Sequence, residues 1–426
     1  LARYFDVTVV LAGKPANITS LEASRNWDII GNMWRVKKVI VNSKKEAKKV
    51  DLKDYDVIID ALLGTGVKGR IREPVKTLIS KINESEGTVL SVDLPSGVDP
   101  DTGEITDEAV KADITVCLHK AKRGVLKAGE VAGRVVVEDI GIPPEAELNC
   151  GPGDVVIAYP KRKENSHKGE NGKVMIIGGG EYTGAPALSA MAALRSGVDL
   201  AVIYAPSSVA NIIKSFSPNL IVKELPGERL NPNHIEVIIK ESENYDSIVI
   251  GPGLGDGGET TYACREIIKR ASKPVVVDAE ALQGLSEGLG ERVVATPHAG
   301  EASKLLNRKI GRELGDRVEA ARELSEKYGV TVLLKGRVDV VALREEYRLN
   351  FTGNPGMTVG GTGDVLTGIT AAFLAWGVKS FQAASAAAFI CGLAGDIALE
   401  DIGGYHLTAT DVIKRIPEAF STALSI

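Results

Sequence analysis

The chain has 426 residues, 44% of them hydrophobic, 25% charged and 5% aromatic, with a formal net charge of −5. That length gives room for two or three domains with sizeable cores, and the composition is that of an ordinary globular protein. The acidic balance and the scarcity of aromatics argue against a general nucleic-acid binder or a base-stacking platform. Cys117, Cys150, Cys264 and Cys391 are scattered, with no CxxC and no paired histidine spacing. They are expected to be reduced thiols of a cytoplasmic protein, not metal ligands. No apolar run is read as long enough to span a membrane, and no signal peptide is expected.

Residues 1–4 (LARY) read as the tail of a helix already under way, so a further element is expected upstream. Residues 6–11 (DVTVVL), 38–41 and 55–63 (YDVIIDALL) are β-branched runs, expected as strands. The third passes Asp60 and opens into Gly64, Thr65, Gly66, Val67, Lys68, Gly69 and Arg70. Pro74 starts an amphipathic helix that runs through Ile82. Strands follow at 88–93, 113–118 and 134–137, the first of them leading into residues 94–99 (LPSGVD). Strand, glycine turn, helix, strand is the grammar of a doubly wound parallel sheet, whose ligands gather at the carboxyl ends of the strands. Asp60 and Asp93 both stand at such an end. Brought to one edge they suit cation binding, ribose hydroxyls or acid–base work; each alone fits a turn or a helix cap equally well.

Residues 140–160, with Gly, Pro and acids in no clear period, mark a junction that divides the chain into domains at 1–150 and 151–426. In the second domain strands are expected at 174–177, 200–204, 247–250, 274–278, 292–295 and 331–335. A small-residue helix starts at Ala185 and Pro186 and is ended by Gly197, and Ala-rich helices cover 381–399 and the stretch from Thr410. The strand exits GPGLG (251–255), DAEAL (278–282), TPHAGE (296–301) and LKG (334–336) carry Gly255, His298 and Lys335. Lys335 offers a point charge for a phosphate, and His298, in a Pro/Gly loop, a ligand. The rest of the domain is arranged around residues 354–376 (NPGMTVGGTGDVLTGITAAFLAW). Gly360, Gly361 and Gly363, around Thr362, permit close backbone approach. A helix starting there aims unpaired N–H groups and its positive dipole end at an anion. Asp364 in such a site is expected to be a base or proton carrier; the plain alternative is that it caps the helix.

The ordered set HKGENGKVMIIGGG, TGAPALSAMAALRSG, VIGPGLG, VVDAEAL, TPHAGE, LLKG and FTGNPGMTVGGTGDVLTGITAAFLA resembles the carbohydrate-kinase-like domain of the NAD(P)H-hydrate dehydratases. That domain is a branch of the ribokinase-like fold, and the resemblance covers residues 166–419. DALLGTGVKG (60–69) and VDLPSGVD (92–99) are similar to the YjeF N-terminal domain, the Rossmann-like NAD(P)H-hydrate epimerase. Together the halves resemble the bifunctional NAD(P)H-hydrate repair family, a two-domain α/β architecture.

The resemblance implies dehydration of the S epimer of hydrated NAD(P)H by the second domain, with ADP or ATP as co-substrate and Mg²⁺, and R/S epimerisation by the first, with K⁺. Asp60 and Ser96 would hold the K⁺, residues 64–70 would line the substrate phosphate site, and Asp93 would be the epimerase acid–base group. Ala185, Gly255, His298 and Asp364 would contact the hydrated cofactor, with Asp364 as base. Lys335, Gly336, Arg337, Val338, Asp339, Gly360, Gly361, Thr362 and Gly363 would contact the nucleotide. The expected partner is the small-molecule substrate, with neither nucleic acid nor membrane, in a homo-oligomer. The family's Asn/Gly-rich loop GNNGGDG has no counterpart in this sequence, so the first domain is expected to begin just after it. A small-molecule kinase of the same fold is the alternative, because its first step is the same; a non-catalytic nucleotide-binding scaffold is a further one.

Overall fold

A computed structural model describes residues 1–66 and 69–425; Val67 and Lys68 of the expected phosphate loop lie outside the described residues. The chain forms two compact units, Leu1–Pro143 and Pro144–Ile426. In the first, β1 (Val7–Ala12) and β2 (Val36–Val41) pair in parallel as a sheet of two. Next come β3 (Val57–Asp60), β4 (Thr88–Val92), β5 (Ile114–Leu118) and β6 (Arg134–Glu138), a four-stranded parallel sheet in chain order. Helix Val75–Asn83 turns Leu78, Ile79 and Ile82 inward. Ile79 and Ile82 join Ile58 of β3 and Val89 of β4 in one core. Residues 1–4, expected as the end of a helix, open a turn in which the Tyr4 and Phe5 N–H groups both donate to the Leu1 carbonyl. A helix the sequence reading lacks, Leu21–Gly31, starts at Ser20, whose hydroxyl accepts the Ala23 N–H at 3.0 Å.

The second unit is built on β7 (Lys173–Ile177), β8 (Leu200–Pro206), β9 (Ile221–Leu225), β10 (Ser247–Ile250), β11 (Val275–Val277), β12 (Val293–Ala295), β13 (Thr331–Leu334), β14 (Asp339–Leu343) and β15 (Glu346–Asn350). They form one sheet in the order β15-β14-β13-β12-β11-β10-β7-β8-β9. The sheet is parallel from β13 to β9, but β14 and β15 run antiparallel. The strand–helix grammar read from the sequence holds for the parallel part, and the antiparallel pair is an addition to it. Only residues 335–338 separate β13 from β14, too few for the crossover a parallel neighbour requires, so the chain folds straight back. Strand order reverses between β7 and β10, which opens the crevice where such sheets bind ligands.

The central strands are buried along their whole length, as a sheet covered on both faces demands. Helices Gly184–Ser196, Thr362–Ala375, Ser380–Ile402 and Ala409–Leu424 supply one covering core with residues such as Ile369, Phe373, Ile390 and Ile416. Ser380–Ile402 is long and apolar enough to cross a membrane, contrary to the expectation that no run reaches that length. In the fold, 72% of its most apolar window is buried in protein, as in a core helix. All four cysteines are buried and unpaired.

Candidate active site

The stretch expected to organise the second unit starts its helix at Gly361, whose φ of +96° is the left-handed conformation that glycine adopts without strain. A Cβ on Gly361 would also come within 2.5 Å of the Leu188 side chain. From Val365 to Leu374 every residue of helix Thr362–Ala375 is buried. The Gly361 carbonyl takes the Val365 N–H, so the N–H groups of Thr362, Gly363 and Asp364 have no partner within the helix. Asp364 is the third helical residue, not the cap, which removes the plain alternative for it. Ser189 of helix Gly184–Ser196 donates its hydroxyl to the Asp364 carbonyl at 3.0 Å, fixing the first turn. Burial, then the negative charges of Asp278 and Glu280, push the Asp364 carboxyl up to about 7 against the opposing pull of Lys335.

Two cavities meet this helix start. One, of about 670 Å³, is lined by His298, Lys335, Gly336, Arg337, Asp339, Thr362 and Gly363. The other, of about 530 Å³, is lined by Ala185, Gly360, Gly361 and Asp364, together with Glu181, Tyr182, Gly253 and Glu280. Gly363 and Asp364 are consecutive, yet they line different cavities. A group bound in the first and a hydroxyl bound in the second would meet across the N-terminus of one helix.

The individual residues differ in what they do. Lys335, expected to place a point charge near a phosphate, pairs its ammonium with Asp278 at 2.7 Å. Asp339 holds the β13–β14 turn by accepting the Gly336 N–H (2.9 Å) and the Asn350 side-chain amide (3.0 Å), and burial pushes its carboxyl up. The Val338 carbonyl faces the Arg317 guanidinium at 3.3 Å. Arg337 points toward the carbonyls of Phe351 and Gly353. His298 caps helix Ala299–Leu306, its Nδ1 accepting the N–H groups of Gly300 (2.9 Å) and Glu301 (3.3 Å). The neutral ring therefore carries its proton on Nε2. His298 lines the cavity of the expected nucleotide residues, not the one that holds Ala185 and Asp364. Gly255 lies against Glu181, whose carboxylate a Cβ there would approach to 2.8 Å. The sequence marked the DAEAL exit but gave Asp278 and Glu280 no site role, and it passed over Glu181 and Tyr182. Asp278 had a visible signal, an acid closing a run of valines at a strand end.

In the first unit Asp60 and Ser96 lie together and are buried. The Ser96 hydroxyl and N–H donate to the two Asp60 oxygens at 2.6 and 2.8 Å, and the Ser91 hydroxyl adds a third bond at 2.8 Å. Both carboxylate oxygens accept protein donors, and two residues alone do not complete a cation cage. Among the described residues no three His, Cys, Asp or Glu side chains gather as a metal site. Asp93, at the end of β4, has φ 71° and its carboxylate is paired with the Lys122 ammonium. A left-handed aspartate holding a charged partner at a strand end is the kind of strained residue that functional sites retain. Gly66 and Arg70 line a cavity of about 840 Å³ with Lys14 and Arg72, a basic setting suited to a phosphate. Among the described residues a Cβ on Gly64 or Gly66 would meet no atom within 4 Å, so packing does not account for these two glycines, whereas Gly69 has a φ of +85° that favours glycine.

Comparison with known proteins matches residues 174–418 to the family described as NAD(P)H-hydrate dehydratase and residues 1–124 to the YjeF-related protein N-terminus. The bifunctional NAD(P)H-hydrate repair enzyme of Pyrobaculum aerophilum is 44% identical over 422 residues, which is 96% of this chain and 83% of that protein. The protein of the same description from Methanothermobacter thermautotrophicus is 44% identical over 97% of this chain and 81% of its own length. Among solved structures, an ADP/ATP-dependent NAD(P)H-hydrate dehydratase from Bacillus subtilis, co-crystallised with ATP and Mg²⁺, superposes with a TM-score of 0.55 at 25% identity. It covers 67% of this chain and 99% of its own.

Proposed function

The chain belongs to the family of bifunctional NAD(P)H-hydrate repair enzymes, and we propose on that premise that its second unit dehydrates the S epimer of hydrated NAD(P)H at the expense of ADP or ATP. The first unit interconverts the R and S epimers. The observation that carries the first reading is the pair Gly363–Asp364, neighbours in sequence that face two cavities. The nucleotide lies in the cavity of Lys335, Gly336, Arg337 and Gly363, and the hydrated nicotinamide in that of Ala185 and Asp364. Mg²⁺ is expected to arrive on the nucleotide phosphates, which suits an ion that keeps most of its water and needs few protein ligands.

The chemistry follows from the poor leaving ability of hydroxide. Asp364 accepts the proton of the substrate hydroxyl as its oxygen attacks the terminal phosphorus, and the bond from that phosphorus to the nucleotide breaks. The unpaired N–H groups at residues 362–364 face the phosphoryl group in flight, where fixed donors act most strongly. Phosphate then leaves the ring carbon, pushed by the ring-nitrogen lone pair, and loss of a proton from the next carbon restores the double bond. A kinase of the same fold would stop at the phosphate ester. Release of inorganic phosphate in step with reduced nicotinamide identifies the dehydratase, and a stable phosphorylated product would refute it.

Because the ionised form of Asp364 is the active base, kcat/KM should rise with pH through a limb near 7 and level off above it. A limb near pH 4, or activity falling across this range, would remove Asp364 from the role. In the first unit Asp93 is the acid–base group. Supplied with the R epimer alone, the Asp93→Asn variant should leave it unconverted; supplied with the S epimer, it should consume it at the wild-type rate. Unimpaired use of the R epimer would exclude Asp93.

A further inference from the structure

Beneath the helix start lies a polar cluster that neither cavity explains. Asp278, immediately after β11, is 3% exposed and accepts three side-chain hydrogen bonds from three other elements. The Thr296 hydroxyl after β12 donates at 2.8 Å, the Lys335 ammonium after β13 at 2.7 Å, and the Thr367 hydroxyl of helix Thr362–Ala375 at 3.1 Å. The single Thr367 hydroxyl proton is shared between Asp278 and the Gly363 carbonyl, the latter at 2.8 Å, and a Cβ on Gly363 would stand 3.3 Å from the Lys335 ammonium. One carboxylate therefore ties three neighbouring strand ends to the turn that carries Asp364.

We propose that Asp278 is a positioning residue for dehydration: through Thr367 it locks the first turn of the helix, and by holding Lys335 beside Gly363 it fixes the charge next to the anion site. A buried ion pair is a weak source of stability but a strong constraint on geometry, because neither partner tolerates loss of the other. Here the constraint falls on the two groups that the transfer uses. Burial pushes the Asp278 carboxyl up, but Lys335 and the Thr296 hydroxyl outweigh it and hold the group below its ordinary value. Burial pushes Lys335 down, but the charges of Asp278 and Glu301 outweigh it and hold the ammonium above its ordinary value. Both directions describe a charged pair at neutral pH. Asp364 thus faces Asp278 and Lys335 from the strand ends and Glu280 from the loop after β11, with Glu181 on the wall of its own cavity.

This inference rests on Asp364 being the base, and its test separates the two claims. Thr367→Val removes only the hydroxyl link and leaves every charge in place. It should lower kcat by roughly tenfold or more, with the nucleotide KM unchanged, since small displacements of a reacting group cost rate before affinity. Thr367→Ser should restore it. Lys335→Met should move the acid limb of the kcat/KM profile up by roughly one unit, and adding Asp278→Asn to it should bring the limb back toward wild type. Wild-type kcat in Thr367→Val, or a limb unmoved by Lys335→Met, would overturn the positioning role while leaving Asp364 as base. Loss of the limb's link to Asp364, seen as wild-type activity in Asp364→Asn, would instead overturn the underlying reading.

Discussion

Asp364→Asn is expected to lower dehydration of the S epimer by roughly 10²–10⁴-fold while leaving nucleotide binding nearly unchanged. The amide keeps the shape and the Ser189 bond to the Asp364 carbonyl, but it cannot take the hydroxyl proton. The same substitution should stabilise the protein. A carboxyl held at about 7 in the fold, against an ordinary value of 3.8, favours folding while it is protonated. That contribution is lost as pH rises through 7. Asparagine carries no such liability, so its melting temperature should exceed that of wild type at pH 8. The gap should narrow as pH falls and close below about 4. A variant that loses activity and stability together would show a collapsed site instead of a missing base, the opposite of the usual exchange between activity and stability.

The second large effect is expected at Gly368, which touches neither cavity. A Cβ there would lie 2.2 Å from the Ser189 carbonyl oxygen and 2.9 Å from the Ala192 side chain, so helices Thr362–Ala375 and Gly184–Ser196 would have to part. Overpacking of this kind costs about 1–3 kcal/mol, and Gly368→Ala should show it as a clear drop in melting temperature. The functional consequence should be larger. Ser189 is also the residue that holds the Asp364 carbonyl, so separation of the helices moves the base. A shift of about 1 Å at a reacting group costs on the order of 10²-fold in rate. Gly258→Ala is the control. It sits at the start of helix Gly258–Arg270 with open space around its Cβ, so stability should stay within about 0.5 kcal/mol of wild type. Equal effects at the two glycines would show that helix separation is not what Gly368 prevents.

Much of this arrangement was legible from residues alone. The β-branched runs placed β7, β10 and β11 to within a residue or two, and the glycines before Asp364 announced a helix N-terminus. Three things were not legible, each for a physical reason. The antiparallel run β13–β14–β15 departs from the repeating strand–helix pattern, and only the shortness of its connections, residues 335–338 and 344–345, betrays it. Helix Leu21–Gly31 buries none of its residues, so it lacks the periodic inward face by which helices are recognised. The partners of Lys335 are separated from it by long stretches of chain: Asp278 stands 57 positions away, and local spacing carries no information about such a pair. His298 shows the same limit. Its loop marked it as a ligand candidate, but its cavity was set by the turn after β13.

The central claim, that the substrate hydroxyl is phosphorylated before it leaves, is tested most directly by the fate of its oxygen. The S epimer, labelled with ¹⁸O in that hydroxyl, is converted with ADP or ATP in a single turnover. Attack by the hydroxyl on phosphorus, followed by cleavage of the carbon–oxygen bond, predicts that the label emerges in inorganic phosphate. Label found in water, with unlabelled phosphate formed by separate hydrolysis of the nucleotide, would contradict the account.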